Sequence, residues 1–153
     1  MTPQEFVDKW RRSKLKERSA SQEHFLDLCS MLGHPTPAKA DPEGATFTFE
    51  KGASKRTGGE GWADVWKKGF FGWEYKGKRK DLDAAYDQLL LYREDLDNPP
   101  LLVVCDMDRI VVHTTGASTT HMSKLLPKIE GGGAGGCPVL VFGITKKLYD
   151  PSS

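Results

Sequence analysis

Gly61-Trp62-Ala63-Asp64-Val65-Trp66-Lys67, followed after Lys68-Gly69 by Phe70-Phe71-Gly72-Trp73-Glu74-Tyr75-Lys76, is the stretch that decides how this chain is read. Both runs are rich in aromatic and β-branched residues, and a Gly-containing pair divides them, the pattern of two strands joined as a hairpin near Lys68-Gly69. Side chains alternate along a strand, so Glu74 and Lys76 share one face while Trp73 and Tyr75 take the other. Asp64 stands ten residues before Glu74 on the partner strand, and closing the hairpin carries its carboxylate across from that of Glu74. Two acids and one ammonium are expected to converge.

Hydrolysing a phosphodiester requires charge to be neutralised on the phosphoryl group, a nucleophilic water to be supplied and the leaving oxygen to be stabilised, and a hard divalent ion serves all three. Mg²⁺ prefers oxygen ligands and keeps several waters, so one or two carboxylates, a backbone carbonyl and the substrate phosphate suffice. Asp64, Glu74 and the carbonyl of Tyr75 are suitable ligands for Mg²⁺, with Mn²⁺ as a substitute. Lys76 is placed to orient the attacking water and to offset charge in the transition state. A bare Glu-x-Lys is more often an exposed ion pair of little energetic weight. Here it comes with an upstream acid on the hairpin partner, a basic surrounding and a following helix with a polar signature of its own.

The basic surrounding is local. Residues 51–80 hold nine Lys or Arg against three acids, whereas 81–97 hold six acids against one Arg, although the whole chain carries only +1. Such a concentration suits a polyanion partner, with Lys78, Arg79 and Lys80 as candidate phosphate contacts. The helix is expected over Asp81 to Asp97, with acids in its first turn and Asn98-Pro99-Pro100 as its stop. Within it Gln88 and Tyr92, at i and i+4, share a face. They are candidate supporting or DNA-contacting residues, and spacing alone reads them as well as a surface Gln and a core-edge Tyr.

Upstream, Thr2-Pro3-Gln4-Glu5 has a cap, a proline and a glutamate in the order of a helix start, and that helix is expected to reach about Arg18. A second start at Ser19 precedes Phe25, Leu28, Cys29 and Leu32, one buried helical face. Gly33 and His34-Pro35-Thr36-Pro37 should end it, and Thr46 to Glu50 alternates as a strand. Downstream, Leu101 to Cys105 and Arg109 to Thr114 read as buried strands joined by a tight turn at Asp106-Met107-Asp108. The nuclease-like core is assigned to 1–115. Residues 116–153 form a poorly readable extension: a short helix is one reading before the Gly-rich run 131–136, Val139 to Ile144 is strand-like, and the tail resembles the start of a linker.

No apolar run approaches the roughly 20 residues that span a bilayer, and the first residues lack a secretory signal, so a cytoplasmic chain is expected. Cys29, Cys105 and Cys137 form no CxxC pair and are odd in number, against a zinc site or a disulfide framework. His24, His34, His113 and His121 have no metal-binding spacing. Asp106 and Asp108 are turn formers.

Taken together, Asp64, Glu74-Tyr75-Lys76 and Gln88 with Tyr92 resemble the PD-(D/E)xK nuclease superfamily in its RecB-like branch. More closely, Gly61 to Trp66, Trp73 to Lys78, Leu101 to Asp106 and Leu15 to Phe25 resemble the amino-terminal endonuclease domain of MmeI-like single-chain restriction-modification enzymes, over roughly residues 5–114. The resemblance implies a three-layer α/β fold with a central mixed sheet, cleavage of double-stranded DNA in a bacterial or archaeal cytoplasm, and a parent protein with adenine methyltransferase and target-recognition regions. It also implies an acid from the first core helix at the metal, which points to Glu23. No S-adenosylmethionine site is expected in these residues, and two copies are one way to cut both strands. Two other readings stay open: a nonenzymatic DNA-binding or interaction module, against which the paired carboxylates count, and a competent nuclease domain silent without its missing parts.

Overall fold

The computed structural model describes residues 1–52, 61–77, 81–114 and 123–124. Its elements run α1 (Pro3–Arg12), α2 (Glu17–Leu32), α3 (Pro37–Ala40), β1 (Phe47–Lys51), β2 (Ala63–Lys67), β3 (Phe71–Tyr75), α4 (Leu82–Leu91), β4 (Leu101–Cys105), β5 (Ile110–Thr114) and β6 (Ser123–Lys124). The strands form one sheet in sequence order, with β3 and β4 parallel and every other neighbouring pair antiparallel. The parallel step requires a crossover, and α4 supplies it.

Alternation along the central strands separates two cores. Phe71, Trp73 and Tyr75 of β3 with Leu101, Val103 and Cys105 of β4 pack against Phe6, Trp10, Phe25 and Leu28 of α1 and α2. Leu102 and Val104 pack with Trp66 against Leu82, Ala85 and Leu89 of α4. Helices therefore cover both faces, and the three-layer α/β architecture with a mixed sheet is the one observed. Strand β4, buried along its whole length, shows the continuous apolar run of a strand covered on both sides. At Gly72 an added Cβ would lie 2.9 Å from Leu96 Cδ1, so a larger residue there would have to displace that methyl of the α4 connection.

Several boundaries differ from expectation. Helix α1 has the predicted cap, Thr2 accepting from the Glu5 amide, but ends at Arg12 rather than Arg18. Its buried stripe Phe6, Val7, Trp10 continues only into Ser13 and Lys14, which have nothing to bury, and Leu15 is exposed. Helix α2 accordingly starts at Glu17, and Ser19, expected as a cap, lies in the first turn with its hydroxyl donating to the Lys16 carbonyl. Phe25, Leu28 and Cys29 are buried as the periodicity requires. The turn of helix α3 falls where only a loop was expected.

Helix α4 is capped by Asp81, which accepts from the Asp83 and Ala84 amides, yet stops at Leu91, not Asp97. Leu91 is 78 % exposed, so continuing the helix there gains no burial. Residues 92–97 form turns that close with Asn98 N–H on the Arg93 carbonyl and Asp97 N–H on the Glu94 carbonyl, Asp97 being left-handed at φ 63°. That is a Schellman closure with Asp in the usual Gly position. It leaves the Leu96 carbonyl free to accept from Trp66 Nε1 at 2.8 Å.

Beyond residue 115, where a short helix was one reading, Ser123–Lys124 instead pairs antiparallel with β5. The Gly-rich run, Cys137 and the strand expected at Val139 to Ile144 lie outside the described residues. Cys29 and Cys105 are buried free thiols, and burial pushes the Cys29 thiol up to about 12, so it is an inert apolar filler. The Asp106 turn is also as expected: its carboxylate accepts from the Asp108 and Arg109 amides and from the Arg109 guanidinium.

Candidate active site

The hairpin ladder between β2 and β3 ends at Val65↔Trp73. One step further Asp64 faces Glu74, and there the strands part. The amide of Tyr75 is satisfied instead by the Asp64 carboxylate, Oδ2 at 2.7 Å. On the other side β1 pairs Phe49 with Val65 and Lys51 with Ala63, which sets Glu50 opposite Asp64. Glu50, Asp64 and Glu74 thus stand in line across three neighbouring strands.

A cleft of about 310 Å³ opens at this point, with Asp64, Glu74, Tyr75 and Lys76 on one side and Glu17, Arg18, Ser21 and Gln22 of α2 on the other. Glu74 is only 7 % exposed. Burial pushes the Asp64 carboxyl above the ordinary range; the Tyr75 amide, the Lys76 charge and a hydrogen bond with Glu74 oppose that, and the Glu50 charge adds to it. Lys76 Nζ donates to Gln88 Oε1 of α4 at 3.3 Å, which steadies the long side chain beside the acids.

Tyr75 reaches the cleft with its backbone, because its ring is buried and its hydroxyl is hydrogen-bonded to His24 Nδ1 at 2.9 Å. His24 is itself enclosed by Phe6 and Trp10, with ring centroids 4.9 and 5.0 Å away. Burial, with some help from the Lys9 charge, pushes its pKa down to about 3. Its unfolded value lies near 6.5, so between those limits the unfolded chain binds the extra proton. The His24 contribution to stability is complete above about pH 6.5 and is lost as pH falls toward 3. We expect the melting temperature to drop across that window and His24→Gln to flatten the drop; parallel curves for the two proteins would refute the assignment.

The sequence-derived residues are not all brought together. Asp64, Glu74, the Tyr75 backbone and Lys76 share the cleft, and Gln88 touches it through Lys76. Tyr92 is the C-cap of α4 rather than part of its helical face. Glu23, 54 % exposed at its side chain, pairs with Lys9 at 3.2 Å and is not among the residues lining the cleft. Lys78, Arg79 and Lys80 lie outside the described residues. Glu17 and Glu50 were not singled out from sequence. Glu17 falls within the Leu15 to Phe25 stretch that carried the resemblance, and Glu50 closes the alternating run of β1, but its place opposite Asp64 needs a register that alternation cannot supply.

Two carboxylates in hydrogen-bonding contact, one of them raised by burial, next to a backbone segment at an open strand end, form an all-oxygen donor set suited to a small hard cation. Among the described residues no three His, Cys, Asp or Glu side chains gather into a group that could hold a metal ion.

A mixed sheet between two helical layers, with Asp on one hairpin strand and Glu-x-Lys on the next, defines an α/β domain of the PD-(D/E)xK kind. The chain belongs to the MmeI N-terminal domain family, whose description, "MmeI, N-terminal domain", matches residues 1–131. It is therefore a restriction-enzyme-related domain. No curated protein and no solved structure matches it. Among the described residues no helix is long and apolar enough to cross a membrane.

Proposed function

We propose that this domain is a Mg²⁺-dependent endonuclease that hydrolyses phosphodiester bonds of double-stranded DNA, as the cleaving part of a restriction-modification or phage-defence enzyme. The observation that carries this reading is the convergence of Asp64, Glu74 and Lys76 in one cleft, with the Asp64 carboxylate fixed by the Tyr75 amide. Asp64, Glu74 and the Tyr75 carbonyl would hold the ion, Mn²⁺ serving as a substitute. When bound, the ion supplies charge neutralisation on the phosphoryl group and acidifies water.

The chain's own groups do the rest. The Tyr75 amide and the buried His24–Tyr75 contact fix the direction of the Asp64 carboxylate. Lys76, held by Gln88, presents a positive charge where an attacking water and a scissile phosphate must meet. Pre-set charges in a partly buried cleft stabilise developing charge without reorganising during the reaction. The burial that raises Asp64 also means that a cation there relieves an existing electrostatic cost.

One cleft per chain cuts one strand at a time, so double-strand cleavage calls for a second copy or a second event. Methyltransferase and target-recognition regions in a parent protein would supply sequence choice, since phosphate contacts position but base contacts specify.

The test is incubation of the purified chain with supercoiled plasmid and Mg²⁺ or Mn²⁺, beside EDTA and Lys76→Ala controls. Nicked or linear product lost in both controls is the expected result. Removal of one such stabilising group costs about 10²–10³-fold in rate. Cleavage by Lys76→Ala at the parent's rate would exclude the site. Metal binding without cleavage would point to a domain waiting for its other parts, and neither would favour a nonenzymatic DNA-binding module.

A further inference from the structure

The wall of the cleft opposite the catalytic side is the first two turns of α2. Arg18, Ser21 and Gln22 lie there at i, i+3 and i+4, on one helical face, and all three line the cleft. The same side of α2 continues into Phe25 and Leu28, which with Ala20 and His24 are buried, so the stripe is carried on a rigid support. Among the described residues none of the three makes a side-chain hydrogen bond or ion pair, although each has donors to offer. Among the described residues that line the cleft, the carboxylates are those of Glu17, Glu50, Asp64 and Glu74 and the cations are Arg18 and Lys76. Lys76 is already engaged by Gln88.

A polyanion entering this cleft meets repulsion from Glu50 that an ion held between Asp64 and Glu74 does not remove, because Glu50 belongs to the edge strand β1. A cation on the α2 wall is what offsets it. Arg is suited to the task, since its planar fork donates two parallel hydrogen bonds to the oxygens of one phosphate.

We infer that Arg18, flanked by Ser21 and Gln22, is the phosphate-gripping wall of the cleft and holds the DNA backbone beside the scissile bond. This rests on the endonuclease reading above and adds to it the residue that seats the strand against Lys76. Arg18 is a positioning residue: it fixes the strand and takes no part in proton or phosphoryl transfer.

The experiment measures binding, not cleavage. A fluorescent DNA duplex is titrated with the full chain in Ca²⁺ at a series of KCl concentrations, for the parent, Arg18→Gln and Arg18→Lys. Each neutralised phosphate contributes about 0.9 to the slope of log affinity against log salt. Arg18→Gln is expected to bind more weakly with a slope shallower by about 0.9, and Arg18→Lys to keep the parent slope at reduced affinity. A general loss of structure would not give a change of one charge rescued by lysine, and Arg18 is exposed, so both variants should keep the parent's melting temperature. A parent that binds DNA while Arg18→Gln leaves the slope unchanged overturns the inference and leaves the endonuclease reading intact. A parent that binds no duplex overturns both.

Discussion

Asp64→Asn is expected to abolish metal-dependent cleavage while leaving the protein folded, and to melt no lower than the parent. The amide replaces the carboxylate with nearly the same shape, and its oxygen can still accept from the Tyr75 amide now bonded to Asp64 at 2.7 Å. What disappears is the charge. A lost metal ligand removes several kcal/mol of transition-state stabilisation, and at about 1.4 kcal/mol per tenfold that is about 10³-fold in rate. Burial and the Glu50 charge already disfavour ionised Asp64 in the fold, so at neutral pH the neutral variant sheds a cost the parent carries. Activity and stability should move in opposite directions, as at sites where function retains strain. Mn²⁺ titration calorimetry and a melting curve on the same two proteins decide it. Unchanged Mn²⁺ affinity, or a melt several degrees lower, would remove Asp64 from the metal site or show that its charge is structural.

The second large effect is on stability. Phe25 of α2 is fully buried and meets four rings at once, with centroids at 6.1 Å to Phe47, 5.8 Å to Phe49, 6.1 Å to Phe71 and 5.3 Å to Trp73. The edge-to-face pairs with Phe47, Phe49 and Trp73 add to what burial alone gives. Phe25→Ala leaves a cavity bounded by β1 and β3, whose strand geometry cannot collapse around it, and should cost about 3–5 kcal/mol. For a domain of this size that is a fall of about 10–20 °C in melting temperature. The neighbouring exposed Leu26→Ala should stay within about 0.5 kcal/mol. Equal effects of the two substitutions in urea unfolding would mean that α2 does not dock through this face.

The hairpin and the convergence of Asp64, Glu74 and Lys76 in one cleft were legible because a strand periodicity and a turn signal agree there. Strand alternation separates Trp73 and Tyr75 from Glu74 and Lys76, and the Gly69 turn dictates which residues can face each other. The crossover helix and the buried strand β4 were legible for a similar reason, a strong cap followed by apolar content. What was not legible depends on burial that sequence does not encode locally. Nothing in Ser13-Lys14-Leu15-Lys16 forbids a helix; it fails there because no core lies beside it. Helix α4 ends early because Leu91 finds no core to bury in, and the turn that follows hands the Leu96 carbonyl to Trp66, far away in sequence. Glu17, Arg18 and Glu50 join the site only through the docking of α2 and the register of β1. Glu23, favoured by resemblance alone, turns toward Lys9.

The parting of β2 and β3 gives the site a reporter of its own. A backbone amide in the body of a sheet donates to its neighbouring strand, but the Tyr75 amide donates to the carboxylate expected to meet an ion. Its proton resonance and its exchange with solvent therefore couple to whatever Asp64 binds. In a spectrum of the ¹⁵N-labelled chain, that single peak would move with a diamagnetic ion such as Mg²⁺ before any substrate is added. One amide at the end of a broken ladder would then read occupancy separately from turnover.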